Sequence, residues 1–199
     1  MTKIEINKIK QLREMTGLGI MECKKAIIKA AGDLEIAKKI LKKKGMKIAE
    51  KKSSRPTREG VIDSYIHYNN KLGALIEVSC ETDFVSKNDI FLKIVHDLAM
   101  QVAAANPLYI KRDKVTDEII NERKKSFILE SIEEGKSKDV AEKIAIQKME
   151  EFFKNNCLLE QSFIKNEDIT VNELITDAIA KIGENIEVNR FVRFSFGED

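Results

Sequence analysis

Residues 80–88 are Cys-Glu-Thr-Asp-Phe-Val-Ser-Lys-Asn, and they join a predicted strand to a predicted helix. The strand, residues 72–79, is an apolar β-rich run, whereas apolar residues between 88 and 106 recur at helical spacing. Phe84 falls in the connection, where a large ring has little of its own element to pack against. The residues alone favour a hydrophobic staple, in which Phe84 and Val85 fold back beneath the helix, because most loop aromatics are buried. The alternative is that something outside this segment covers the ring.

The surrounding elements predict an α+β fold. A second β-rich run, residues 61–68, is separated from 72–79 by Asn69-Asn70-Lys71, which indicates a hairpin because Asn tolerates positive φ. Residues 186–196 alternate apolar and polar side chains, which predicts a third, half-buried strand. Capping residues predict helices after Thr116, after Ser137 and after Thr170, the last with a capping box to Glu173. We therefore expect a small antiparallel three-stranded sheet packed by helices.

The amino-terminal part of the chain predicts a separate three-helix unit. Residues 4–44 carry three apolar stripes at helical spacing, interrupted at residues 16–19 and at Gly32, and we expect Gly45 to end the third helix. Residues 46–59 are mostly Lys, Ser, Arg and small residues, with Pro56 opposing helix continuation, which indicates a linker whose start can be helical. The predicted division is a helical domain at 1–45, a basic linker at 46–59 and a core domain at 60–199.

Charge is distributed unevenly along a chain that is nearly neutral overall. The 199 residues include 35 Lys or Arg and 33 Asp or Glu, but residues 24–58 hold thirteen basic side chains against three acidic ones. This asymmetry indicates an acidic protein partner or a nucleic acid at the amino-terminal end. The basic segment has no interleaved aromatic residues and no nucleic-acid-binding motif, so we expect no direct contact with nucleic acid.

The residue types that would carry catalysis or bind a metal are not arranged to do so. The three cysteines stand at 23, 80 and 157, without metal-ligand spacing or a disulfide pattern. No P-loop, dinucleotide loop or nucleophile–base spacing is present, so we expect neither an enzyme nor a bound cofactor. Without a secretory signal or an apolar run of about 18 residues, the sequence predicts a soluble cytoplasmic protein.

Three stretches together resemble the translation elongation factor Ts family. Residues 12–26, Leu-Arg-Glu-Met-Thr-Gly-Leu-Gly-Ile-Met-Glu-Cys-Lys-Lys-Ala, are similar to its amino-terminal signature, which lies in a ubiquitin-associated-like three-helix domain. Residues 81–85, Glu-Thr-Asp-Phe-Val, match the family's core signature, and residues 180–186, Ala-Lys-Ile-Gly-Glu-Asn-Ile, also look familial. The resemblance extends from the first helix to the final strand.

This resemblance implies a guanine nucleotide exchange factor for elongation factor Tu. It places Asp83 and Phe84 at the tip of a segment that disturbs the Mg²⁺ and phosphate end of the partner's GDP site, with Thr82 and Val85 shaping that tip. It also implies a second contact through Arg13, Ile20 and Met21. The turn at Gly17 and Gly19 would present Ile20 and Met21 as an apolar patch beside a basic residue.

The chain resembles short family members with a single core, whereas longer ones have a duplicated core. We therefore expect a homodimer, because a terminal strand rich in Val188, Val192, Phe194 and Phe196 is a pairing hazard unless it is covered. Alternatively, Arg190 and Arg193 mark that edge as solvent-facing.

Two other functions agree with single parts of the sequence. The basic segment would suit a salt-dependent RNA-binding module. The three-helix front would suit a ubiquitin-like adaptor, which leaves residues 81–85 unexplained.

Overall fold

The computed structural model describes the backbone of residues 3–197 and the side chains of residues 6–197. Its longer helices are α1 (Lys3–Thr16), α2 (Ile20–Lys29), α3 (Leu34–Lys52), α5 (Asp89–Ala105), α6 (Asp117–Glu133), α7 (Lys138–Asn156) and α8 (Val171–Ile182). A single turn forms α4 (Asp83–Ser86), and 3₁₀ turns occupy Arg112–Lys114 and Leu158–Glu160. The strands are β1 (Glu59–Ile66), β2 (Leu72–Cys80), β3 (Ser162–Phe163), β4 (Asn166–Thr170) and β5 (Ile186–Ser195).

The predicted α+β class and the three-stranded sheet are confirmed. The sheet is antiparallel with strand order β1-β2-β5, so β2 is central and β5 lies at an edge. The hairpin between β1 and β2 turns where predicted, with Asn70 at φ 56° and the His67 N–H donating to the Leu72 carbonyl at 2.8 Å. The buried residues of β2 are Gly73, Ala74, Ile76, Val78, Ser79 and Cys80.

The described chain divides into two compact units. The first comprises the residues up to Val61 together with Val78–Ile94 and Ile175–Glu187. The second comprises Ile62–Glu77, Val95–Leu174 and the residues from Val188 onward. The amino-terminal helices and the 80–88 segment therefore belong to the same unit.

In the first unit, α1–α3 pack around a small apolar core. The turns between them use Gly17 at φ 67° and Gly32 at φ 84°, and the Asp33 side chain caps α3 by accepting from the Ile36 N–H at 2.9 Å. The buried core residues of this bundle are Ile9, Leu12, Cys23, Ala26, Ile27, Ala30, Ala37 and Leu41. The three predicted helices are therefore confirmed.

The expectation that Gly45 ends the third helix is wrong, because α3 continues to Lys52. Gly45 is buried inside the helix, and a Cβ built there would lie 3.3 Å from the Cβ of Ala180 in α8. Glycine costs about 1 kcal/mol in a helix interior, but here it allows α3 to approach α8 closely. This packing partner, which lies far away in the sequence, explains the glycine.

In the second unit, the helices begin at the predicted capping residues. The Ile119 N–H donates to Thr116 Oγ1 at 3.5 Å, and Thr170 and Glu173 form the reciprocal capping box at 3.1 and 3.3 Å. Ser137 precedes α7 as expected, although its side chain makes no capping hydrogen bond.

The two-stranded β3–β4 sheet was not predicted from the sequence. Its first strand has only two residues, which is too short for an alternating pattern to appear. The buried side chain of Gln101 holds it from α5: its Oε1 accepts from the Ile164 N–H at 2.8 Å, and its Nε2 donates to the Ser162 carbonyl at 3.1 Å. Tertiary hydrogen bonds therefore define this element.

Candidate functional site

The segment that follows β2 forms one short helical turn, α4, directly after an extended residue. Thr82 occupies the N-cap position with φ −132° and ψ 158°, but its side chain makes no capping hydrogen bond. The turn is closed by the Ser86 N–H donating to the Thr82 carbonyl at 3.2 Å and by Ser86 Oγ donating to the Asp83 carbonyl at 2.9 Å. An isolated turn of four residues is unstable alone, so surrounding contacts must hold it in place.

Phe84 and Val85 are adjacent but lie in opposite environments. The Phe84 side chain is 84% exposed, whereas Val85 is only 9% exposed. The staple interpretation is therefore wrong for Phe84, and of the pair only Val85 is buried. An exposed phenylalanine ring on a connection is costly in water and is typical of a surface that meets a partner.

Two adjacent residues after α8 bind the base of this turn. Glu184 accepts two hydrogen bonds from Thr82, from its N–H at 3.0 Å and from its hydroxyl at 2.7 Å. The Thr82 hydroxyl thus binds Glu184 and makes no capping hydrogen bond to α4. The next residue, Asn185, donates its backbone N–H to Glu81 Oε1 at 2.7 Å.

A second layer of contacts fixes Glu81 and Asn185 themselves. Arg55 lies 3.3 Å from Glu81 Oε2, and the buried Asn185 side chain donates to the Arg55 carbonyl at 3.0 Å. The Asn185 N–H bond and the guanidinium of Arg55 lower the pKa of Glu81 below its usual value, so its carboxylate is ionised near neutral pH.

Asp83 lies at the exposed end of the turn, four residues before Lys87. Its carboxylate accepts from Lys87 Nζ at 2.9 Å, and this hydrogen bond lowers the pKa of Asp83. Both side chains are exposed, so the pair contributes little to stability. The lowered pKa keeps the Asp83 carboxylate ionised near neutral pH.

Cys80, the last residue of β2, is buried and chemically unreactive. Burial raises the pKa of its thiol to about 11, and the Sγ–H donates to the Thr82 carbonyl at 3.3 Å. The thiol is therefore protonated near neutral pH, which argues against a nucleophilic or metal-binding role.

The other predicted contact residues lie on the amino-terminal helices. Arg13 is in the last turn of α1, and Ile20 and Met21 begin α2; all three side chains are exposed. Of the two glycines between them, only Gly17 requires a positive φ, whereas Gly19 has an ordinary φ of −59°. These residues lie in the same compact unit as Thr82–Val85.

Sequence reasoning assigned no role to Glu184 or Asn185. A signal was present, because both belong to the 180–186 stretch that looked familial. Their partners lie about a hundred residues earlier, and no local pattern connects them.

The described residues hold no cluster of three or more His, Cys, Asp or Glu side chains suited to a metal ion. Within the same part of the chain, every helix is too short or too polar to cross a bilayer.

Comparison with known proteins identifies the family. The model of the family described as Elongation factor TS matches residues 20–198. Elongation factor Ts of Carboxydothermus hydrogenoformans is 50% identical over 190 residues, covering 96% of this chain and 88% of that protein. The same-named protein of Solibacter usitatus is 45% identical over 198 residues, covering 100% of this chain and 93% of its own length. The chain therefore belongs to the elongation factor Ts family of translation elongation factors.

Proposed function

We propose that this protein is a guanine nucleotide exchange factor for elongation factor Tu, acting in the cytoplasm without catalysing bond cleavage and without a cofactor of its own. Thr82, Asp83, Phe84 and Val85 form the segment that disturbs the partner's Mg²⁺ and phosphate site. Arg13, Ile20 and Met21 form a second contact with the same partner.

One observation carries this proposal: the Phe84 ring is 84% exposed on a turn whose base is anchored by hydrogen bonds. An anchored turn can present an apolar ring to a partner without first losing conformational entropy. Burying a phenylalanine side chain stabilises a complex by about 1.5–3 kcal/mol, which is enough to favour one partner conformation over another.

Exchange requires differential binding rather than chemistry. A factor that binds nucleotide-free elongation factor Tu more tightly than the GDP-bound form must, by linkage, weaken GDP binding by the same factor. Mg²⁺ bridges protein and phosphate oxygens, so displacing its ligands weakens nucleotide binding by more than one lost contact would. The Phe84 ring supplies this difference in affinity if it fits the partner only after elements of the partner have separated.

The direct test is release of fluorescent GDP from purified elongation factor Tu after addition of excess unlabelled GDP. We expect this protein to accelerate release in proportion to its concentration until the partner is saturated. An unrelated GTPase loaded with the same nucleotide serves as control. Release at the spontaneous rate throughout would contradict the proposed function.

The contact through Arg13, Ile20 and Met21 is tested separately. Replacing both Ile20 and Met21 by Ser should raise the concentration needed for half-maximal stimulation about ten-fold, because two exposed apolar contacts are lost. The limiting rate should stay unchanged, since Phe84 is intact. Ile28→Ser, which changes another exposed residue of α2, is the matched control. An unchanged half-maximal concentration in the double variant would remove these residues from the interface.

We retain the division into domains 1–45, 46–59 and 60–199 as a proposal. Limited proteolysis tests it: cleavage should concentrate between Lys52 and Glu59, where α3 has ended and β1 has not begun. Uniform resistance in this interval would argue against a linker there.

We also propose that two copies of the chain pair through their sheets. Ile66, Leu75, Phe194 and Phe196 line one groove of about 590 Å³ within the second unit, and all four side chains are exposed. Groups of exposed apolar side chains can mark a surface that meets another protein. Arg190 binds Glu77 at 2.7 Å and Arg193 donates to the Ala103 carbonyl at 3.0 Å, so both arginines are engaged within their own chain.

A further inference from the structure

Glu184 lies outside the 81–85 segment and makes two hydrogen bonds to it. Its carboxylate accepts both the N–H and the hydroxyl of Thr82, at 3.0 and 2.7 Å. Hydrogen bonds to an ionised acceptor are about twice as strong as bonds between neutral groups, and a bidentate pair also sets orientation. Glu184 therefore fixes both the backbone and the side chain of the residue that begins α4.

A second hydrogen bond, between Asn185 and Glu81, lies beside the Glu184–Thr82 pair. Glu184 binds Thr82 and Asn185 binds Glu81, so two consecutive residues after α8 meet two consecutive residues after β2 in antiparallel order. Asn185 is only 2% exposed and its side chain donates to the Arg55 carbonyl, so burial and this hydrogen bond hold Asn185 in place. Glu184 is less buried than Asn185, and it binds Thr82, which is nearer to Phe84 in the sequence than Glu81 is.

The end of α8 is shaped to place this carboxylate. Gly183 has φ +88°, a conformation that L-residues with a Cβ rarely adopt, and its N–H donates to the Ile179 carbonyl at 2.8 Å. The Gly183 carbonyl accepts from Lys52 Nζ, which ties the carboxyl end of α3 to the same turn. The left-handed residue ends the helix and redirects the chain so that Glu184 reaches Thr82.

From this geometry we infer that Glu184 is a positioning residue for nucleotide exchange: it holds Thr82, and through Thr82 it holds the Phe84 ring in the orientation that meets the partner. This inference rests on the proposed function. Without the Glu184 bonds, α4 is a single turn that must lose conformational entropy when the partner binds. The limiting rate of GDP release therefore falls.

Two substitutions weaken these bonds while preserving shape. Glu184→Gln removes the charge of the acceptor and leaves one acceptor oxygen, and Thr82→Val removes the hydroxyl donor alone. We expect each to lower the limiting rate of fluorescent-GDP release roughly ten-fold. The half-maximal concentration should change by less than about three-fold, because the Ile20 and Met21 contact is intact.

The controls separate positioning from general destabilisation. Thr82→Ser retains both donors and should restore nearly the full limiting rate. Glu167→Gln changes an exposed carboxylate of β4, in the second unit, and should behave like the unchanged protein. Melting temperatures of all variants are measured in parallel.

A double-mutant cycle on the affinity for nucleotide-free elongation factor Tu supplies a readout that a purely structural role would not move. If Glu184 acts through the Phe84 ring, Glu184→Gln should weaken this affinity in the unchanged protein but cause no further loss in a Phe84→Ala background. Full additivity of the two losses would overturn the inference, as would limiting rates equal to that of the unchanged protein for both Glu184→Gln and Thr82→Val.

Amide hydrogen exchange on the protein alone keeps the inference testable without the partner. The Thr82 N–H should be protected in the unchanged protein and exchange at least ten times faster in Glu184→Ala, which removes both acceptor oxygens. If the unchanged protein fails to release GDP, the proposed function fails, whereas equal Thr82 exchange in both proteins refutes the positioning role itself.

Discussion

At the scale of single residues, the chain places two neighbouring apolar side chains in opposite environments. Val85 is buried with Ser86, whereas Phe84 projects into solvent from the same turn. Burial of Val85 and the hydrogen bonds to Thr82 and Glu81 provide the stability of the segment. Phe84 is thereby left available for binding.

Phe84→Ala should largely abolish stimulated GDP release while leaving the fold intact. The ring makes little contact with its own protein, so the free energy of unfolding should change by no more than about 0.5 kcal/mol. Tyr68→Ala is the matched control, because Tyr68 is also highly exposed, at 86%, but lies next to the β1–β2 turn. Variant release rates and melting curves provide the measurement. If Phe84→Ala instead unfolds the protein, and the fraction that stays folded stimulates GDP release normally, the staple interpretation is restored.

Two buried thiols should make the fold sensitive to alkaline pH. Burial raises the pKa of Cys80 and Cys157 from 9.0 to about 11 in the folded protein. Because the folded state favours the protonated form, their stabilising effect is present below about pH 9 and is lost as the pH rises towards 11. Urea unfolding between pH 8 and 11 measures this decline, and Cys80→Ala with Cys157→Ala should flatten it. The same decline in the double variant would assign it to other groups.

At the scale of elements, left-handed glycines decide where helices end. Gly183 and Gly135 follow α8 and α6 with φ values of 88° and 82°, and a Cβ at either position would meet nothing within 4 Å. Backbone strain is therefore the whole local cost of adding a methyl group at either site.

Gly183→Ala and Gly135→Ala should lose similar stability but differ in exchange. Each should cost about 1 kcal/mol of unfolding free energy, which for a chain of this size lowers the melting temperature by about 2–4 °C. Only Gly183→Ala should lower the rate of GDP release, since Glu184 and Asn185 follow Gly183 directly. Equal release rates in the two variants would show that the turn after α8 does not influence the site.

The longer helices and the strands of the three-stranded sheet were predictable, whereas the end of α3 and the β3–β4 sheet were not. Capping residues and helical periodicity predict α5, α6 and α8 closely, because these signals act within one or two turns. Gly45 resembles a helix end in the sequence, yet α3 continues through it because Ala180 packs against that position. The two-residue strand β3 depends on Gln101, about sixty residues earlier, for its hydrogen bonds.

At the scale of the whole molecule, the exposed apolar face of the sheet is the main unexplained surface. Ile66, Leu75, Phe194 and Phe196 would all be protected if two copies paired at this groove. Such a pairing is isologous, so each substitution acts twice in the dimer.

Light scattering at micromolar concentration should therefore give about twice the chain mass of 22.7 kDa. Replacing Phe194 and Phe196 together by Ser should shift the mass towards the monomer, because the apolar area buried between the copies is lost. Leu129→Ser, at an exposed position of α6, should leave the dimer intact. A mass near 22.7 kDa that does not depend on concentration would exclude the dimer.

The sequence by itself determined the α+β class, the three-stranded sheet, the bundle turns and the family, because these follow from short-range periodicity, capping and contiguous motifs. The tertiary structure alone decided that Phe84 is exposed while Val85 is buried, and that Glu184 holds Thr82 across 102 residues of sequence. Side-chain exposure depends on what packs nearby in space, and a hydrogen bond between distant segments leaves no periodic trace in either one. Such contacts form only when folding brings the end of α8 to the end of β2.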